Sequence, residues 1–207
     1  AKFLWQVPLS MRLQARCSSP QHVGTWGFGL WNDPFSINLG VGGANRRLPS
    51  LPNAAWFFYA SSPNHLAFHN SIPAQGFLAA TFSSPKLAAR LLPVALPFTP
   101  LLGIPALARI LRKIIARFVA QSAVVIKQDV STWHSYRLDW LPDKVRFYVD
   151  EALLLETAHS PKGPLGLVLW LDNQYAAFPE DGRLRFGTMA NAESAVLEIS
   201  AVDISAL

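Results

Sequence analysis

The stretch STWHSYRLDWLPDKVRFYVDEALLLET, residues 131–157, decides the fold class. Tyr136, Leu138 and Trp140 alternate with Ser135, Arg137 and Asp139, the two-residue period of a half-exposed antiparallel strand. The turn-forming LPDK then leads into a second run rich in β-branched and aromatic residues, so the segment reads as strand, turn, strand. The same grammar recurs outward along the chain. LSMRLQARCSS (9–19) and GTWGFGLWND (24–33) are two runs broken by Pro20 and Gly24, and NAAWFFYASSP (53–63) and GFLAATFSSP (76–85) are aromatic runs separated by the turn-rich NHLAFHNSIPAQ. After SPKGP come LGLVLWLDN (165–173), GRLRFG (182–187) and SAVLEISAVDI (194–204). About ten short strands with turns at regular spacing predict an all-β sandwich.

Composition agrees. A chain of 207 residues suits one domain, 1–207, and 51% hydrophobic against 15% charged residues excludes disorder, while 16 prolines argue against a helical bundle. The lone Cys17 excludes an internal disulfide and reads as a small buried thiol. The opening AKFLWQVPLSMRLQ lacks the order of a signal peptide and begins without Met, as a trimmed or partial chain would, so compartment stays open.

Charge is concentrated in the middle. No acid occurs between Asp33 and Asp129, whereas Arg46, Arg47, Lys86, Arg90, Arg109, Arg112, Lys113, Arg117 and Lys127 all do, so the net +5 arises there. Residues 86–121 also break the β pattern and form a predicted helical insertion. LLPVALPFTPLLGIPALA (91–108) is uncharged but interrupted by Pro93, Pro97, Pro100 and Pro105, which argues against a straight membrane span. PALARILRKIIARFVA then sets Leu107, Ile110, Leu111, Ile114, Ile115 and Phe118 at helical spacing with Arg109, Arg112, Lys113 and Arg117 opposite. Two readings follow: a helix packed on the sandwich with its basic face in water, or a lid or anchor contacting an apolar ligand or an anionic membrane surface. Basic residues on an apolar helix, without a polar groove and interleaved aromatics, argue against a nucleic-acid partner.

The 131–157 stretch resembles the concanavalin A-like lectin/glucanase superfamily, especially the laminarinase-type glycoside hydrolases, in which a W-H-x-Y-x-x-x-W strand leads by a short turn into v-x-F-Y-V-D-G. GTWGFGLWN is similar to the family's GTWPAFWL strand, and GPLGLVLWLDNQ stands in the place of its P-x-x-l-i-l-N strand. The resemblance implies a jelly roll of two curved antiparallel sheets with the ligand on the concave one. It also implies an E-x-D-x-x-E strand carrying nucleophile and acid. The corresponding NAAWFFYASSP has no carboxylate, and the acid-free interval from Asp33 to Asp129 leaves no nearby substitute, so the family's hydrolytic mechanism does not carry over. DE at Asp150–Glu151 replaces the family's DG and implies a different hairpin turn.

What remains is a candidate binding face. In GTWGFGLWND, Trp26, Phe28 and Leu30 point one way and Gly27, Gly29, Trp31 and Asp33 the other, leaving a glycine floor beside an indole and a carboxylate. LWND and LWLDN repeat the pattern Trp-x-Asp, giving Trp31 with Asp33 and Trp170 with Asp172, near Asn32, Asn173, Gln174 and Tyr175. Flat aromatic faces beside planar polar groups suit a glycan, or an amphiphilic or apolar ring; the alternative is that the tryptophans are core and the aspartates end turns. Trp31, Trp170, Asn173, Tyr175, Gly27 and Gly29 are thus the candidate ligand-binding residues. Asp33 and Asp172 are a candidate acid–base pair, for glycoside hydrolysis or acid-promoted cyclisation, if their carboxyls meet across one cleft. No cofactor is expected. His65 and His69 lack a third metal ligand, and Asp172, Asn173, Glu180 and Asp181 are the only cluster of oxygen ligands that would suit calcium. VGGAN (41–45) lacks a phosphate-binding lysine and reads as a flexible connection, and His134 reads as structural.

Overall fold

The computed structural model describes residues 3–33, 51–85, 103–190 and 193–207. The VGGAN connection, Arg46, Arg47, Lys86, Arg90 and the greater part of the proline-broken run lie outside the described residues.

Two five-stranded antiparallel sheets form the sandwich expected from the strand pattern, in the jelly-roll form that the resemblance implies. One sheet has the order β12 (Leu197–Ala206), β1 (Leu9–Cys17), β6 (His134–Trp140), β7 (Val145–Val149) and β8 (Ala152–Thr157). The other has the order β5 (Ala120–Val125), β4 (Gly76–Ser83), β3 (Ala54–Ala60), β2 (Thr25–Trp31) and β9 (Gly166–Asp172). A short hairpin of β10 (Gln174–Ala177) and β11 (Arg185–Thr188) extends from β9, and helix α1 (Pro105–Phe118) lies between β4 and β5. The strand β5 was not evident from the sequence. Its first residues, Ala120 and Gln121, fall inside the interval read as helical insertion, which therefore ends earlier than residue 121.

The alternation read from the sequence sets the core between the sheets. Tyr136, Leu138 and Trp140 face inward with Trp26, Phe28 and Leu30, and all six are buried. Phe57 meets Tyr136 and Phe147 edge-on at 5.0 and 5.3 Å, the geometry that places a positive ring edge against a negative face. Trp140 satisfies its buried indole N–H through Ser160 Oγ and the Pro161 carbonyl, both at 3.2 Å. Cys17 is buried, with its thiol pKa pushed up by desolvation.

The β7–β8 hairpin turns at Asp150 and Glu151, both with positive φ (48° and 63°), the backbone that a type I′ turn demands and that asparagine and glycine adopt most easily. Asp150 is held there by the Ser135 N–H at 2.9 Å and by His134 Nδ1 at 2.6 Å. Desolvation pushes the Asp150 carboxyl up, but these bonds outweigh it and hold the group below its usual range. His134 thus ties β6 to the hairpin tip.

Candidate aromatic binding face

The face of the second sheet turned away from the first carries a second apolar cluster built on Trp56, Phe58, Leu78, Ala80 and Phe82. It divides into two halves. Over β3, β4 and β5, the segment 61–75 packs Leu66 and Phe68 onto the sheet, with the Phe68 ring edge-on to Phe82 and its N–H donating to Gln121 Oε1 at 3.0 Å. The space left beneath, lined by Phe58, Leu66, Pro73 and Phe82 among others, is about 10 Å³, the lower limit for one water. That half is closed.

Over β3, β2 and β9 the face carries Trp31, Trp56 and Trp170. Trp56 is buried, whereas Trp31 and Trp170 are half-buried. The Trp31 and Trp170 rings lie parallel within 6°, centroids 6.5 Å apart, and each packs on Trp56, at 6.0 and 5.5 Å. Register explains how the glycines permit this: Gly27 lies between Phe58 and Trp170, and Gly29 between Trp56 and Val168. A Cβ on Gly27 would lie 2.5 Å from the Trp170 ring and 2.4 Å from the Phe57 carbonyl; one on Gly29 would lie 2.5 Å from Trp56 Cα. The room above the glycine floor is therefore occupied by indole from the neighbouring strands.

Trp170 is also fixed at its polar edge. Its indole N–H donates to Thr25 Oγ1 at 3.0 Å, and that hydroxyl donates to Asp172 Oδ1 at 2.9 Å. Asp172 Oδ1 accepts a further bond from the Gln174 N–H at 3.1 Å, and its backbone carbonyl lies 2.7 Å from His22 Nε2. Asp172 orients the face through Thr25.

Asp33 and Asp172 do not form a pair. Asp172 is opposite Thr25 at one end of β2, while Asp33 lies two residues beyond Trp31 at the other. The seven residues from Thr25 to Trp31 alone span roughly 20 Å, beyond the 5–10 Å over which two carboxyls share a glycosidic bond. Asp33 instead turns the chain at φ 49°, a conformation that aspartate tolerates, and Asn32 latches the adjacent backbone to 51–53 through the Leu51 carbonyl and the Asn53 N–H.

Trp31, Trp170, Gly27 and Gly29 converge as read from the sequence. Asn173 is engaged in donating to the Met189 carbonyl at 2.8 Å, and Tyr175 stands on β10 against Gly187. Asp181 Oδ1 accepts from the Arg183 N–H at 2.9 Å. Among the described residues no three acidic, histidine or cysteine side chains converge as metal ligands. Trp56 was missed as part of the face. Its spacing from Phe58, on the opposite parity from Phe57, was the available signal.

The helix corrects the sequence reading at one residue. Arg112, placed on a basic face with Arg109, Lys113 and Arg117, is buried. Its Nε donates to the Phe178 carbonyl at 2.9 Å, and its Nη2 to the Ala67 carbonyl and Asn70 Oδ1, both at 3.0 Å. Burial pulls its pKa down while Glu180 raises it. Ala108, one turn earlier, is also buried and lets the helix approach closely. Gly182 seats the first turn, since a Cβ there would lie 2.3 Å from the Pro105 carbonyl.

The two five-stranded sheets and the aromatic outer face of one of them define an all-β sandwich. Among solved structures the chain is similar to the laminarinase from Flavobacterium sp. UMI-01, at 15% identity and a TM-score of 0.33. That similarity covers 75% of this chain and spans 47% of the laminarinase. No protein-family model matches the chain, and no curated protein matches it.

Proposed function

We propose that this protein is a carbohydrate-binding jelly roll that holds a neutral glycan against Trp31 and Trp170. The observation that carries the reading is the parallel pair of half-buried indoles, 6.5 Å apart, with Trp170 fixed through Thr25 and Asp172. Indole faces present a flat apolar surface to the C–H faces of a pyranose, and holding them rigid before binding lowers the entropy cost of recognition. The strand positions around them, Gly27, Gly29 and Val168, bring no charge to the face, which favours a neutral sugar. The reading is of a binding protein rather than a hydrolase, because β3 carries no carboxylate and Asp172, on β9 opposite Thr25, and Asp33, beyond Trp31, lie near opposite ends of β2.

Electrophoresis of the full chain through native gels containing soluble β-glucan, α-glucan or galactomannan tests this. Retardation in at least one polysaccharide, relieved by Trp170→Ala, is expected. Equal mobility in all of them would reject the reading.

A further inference from the structure

Helix α1 docks by the side that carries Ala108, Arg112 and Ile115: Ala108 and Arg112 are buried, and Ile115 packs on the outer apolar cluster. Arg112 is 6% exposed, yet Leu107, Ile110, Ile114 and Phe118 are 40%, 56%, 44% and 50% exposed. Ile110 and Ile114 each lie two positions from Arg112, about 200° around the helix, so the apolar stripe points away from the body that Arg112 anchors. Ordinary amphipathic packing would bury the whole apolar arc and leave the guanidinium in water. Here the guanidinium is buried beside part of that arc, and four large apolar side chains, recurring every three or four residues, face whatever lies outside.

Charge selects the occupant. Arg109, Lys113 and Arg117 are exposed along the side next to the stripe, and the helix contains no acid. An apolar stripe bordered by cations alone matches the boundary between acyl chains and anionic headgroups. No helix among the described residues is long and apolar enough to cross a membrane, and fourteen residues suit a helix lying in the interface plane. We propose that α1 is an interfacial anchor. Leu107, Ile110, Ile114 and Phe118 enter the surface of an anionic bilayer, and Arg109, Lys113 and Arg117 meet its phosphates. This proposal does not depend on the sugar-binding reading.

The test is co-sedimentation of the full chain with vesicles of phosphatidylcholine alone and of phosphatidylcholine mixed with phosphatidylserine. Binding to the mixed vesicles, weakened by added salt and reduced about fivefold for each cation removed in an Arg109→Gln, Lys113→Gln, Arg117→Gln series, is expected. Ile110→Asp with Ile114→Asp should abolish it. If that double variant does not fold, the glutamine series, confined to exposed positions, carries the test. Absence of binding to either vesicle, or equal binding to both, overturns the proposal. A dimer in solution that the aspartate pair dissolves, without vesicle binding, overturns it in favour of a second copy of the chain.

Discussion

The Trp170 indole donates its N–H to the Thr25 hydroxyl at 3.0 Å, from a strand position directly across from Gly27. Contact with a bare backbone below and a hydrogen bond at the edge together determine where the ring lies. Replacing Thr25 by Val keeps the shape but leaves the Trp170 N–H without its acceptor and Asp172 without one donor. A loss of about 1–3 kcal/mol is expected in urea unfolding. Because the ring is also freed, sugar binding should fall more than the loss of stability alone would require.

Gly27→Ala acts on the same ring from below. Its Cβ would fall 2.5 Å from Trp170 Cη2 and 2.4 Å from a backbone carbonyl that cannot retreat. Overpacking of this kind costs about 1–3 kcal/mol, and the near-ultraviolet circular dichroism of the tryptophans should change with it. An unchanged spectrum and stability would contradict the packing described.

Arg112→Ala removes a buried guanidinium and leaves two carbonyls and the Asn70 side chain without their donor. A destabilisation of about 3 kcal/mol is expected, with hydrogen exchange accelerated first in α1 and in 61–75. Arg112→Lys should rescue little, since one ammonium cannot reproduce the spread of the fork.

The Arg112 anchorage has a pH dependence through His65. Burial lowers the His65 pKa and Arg112 lowers it further, followed by Arg185, while Glu180 and Asp181 raise it. The folded state therefore prefers the neutral ring, and the unfolded chain takes up the proton first as pH falls. Stability is full above the unfolded value of about 6.5 and declines as pH drops below it. His65→Gln should flatten the fall in melting temperature over that interval.

At the β7–β8 turn, Glu151 stands at φ 63° and its ion pair with Arg137 is exposed on the acidic side. Glu151→Gly relieves the left-handed backbone and forfeits a pair worth little in water, so a net stabilisation of up to about 1 kcal/mol is expected by thermal denaturation.

The sandwich was legible because strands such as β6 and β7 have one face packed in the core and another outside, which leaves a period of two in runs such as 134–140, while β2, β3 and β4, buried on both faces, read as continuous apolar runs. The outer face was legible only in part. Trp31 and Gly27 share a strand, so their common side follows from parity, but Trp-x-Asp looks identical at 31–33 and 170–172 although register sends the two aspartates to opposite ends of β2. Pairing between distant strands is not written in a local pattern. The segment 64–75 reads as a turn-rich connection, yet Leu66 and Phe68 find a surface supplied by β3 and β4. Arg112 escaped because helical periodicity describes the helix alone. Ala108, four residues before it, was the mark of close approach.

The central claim is most directly tested by isothermal titration of the wild-type chain and of Trp31→Ala and Trp170→Ala with whichever neutral polysaccharide retards it. Saturable binding, weakened at least about tenfold by each substitution while circular dichroism shows an intact sandwich, is the predicted result. Binding of equal affinity in all three proteins, or none in the wild type with any neutral glycan, would contradict it.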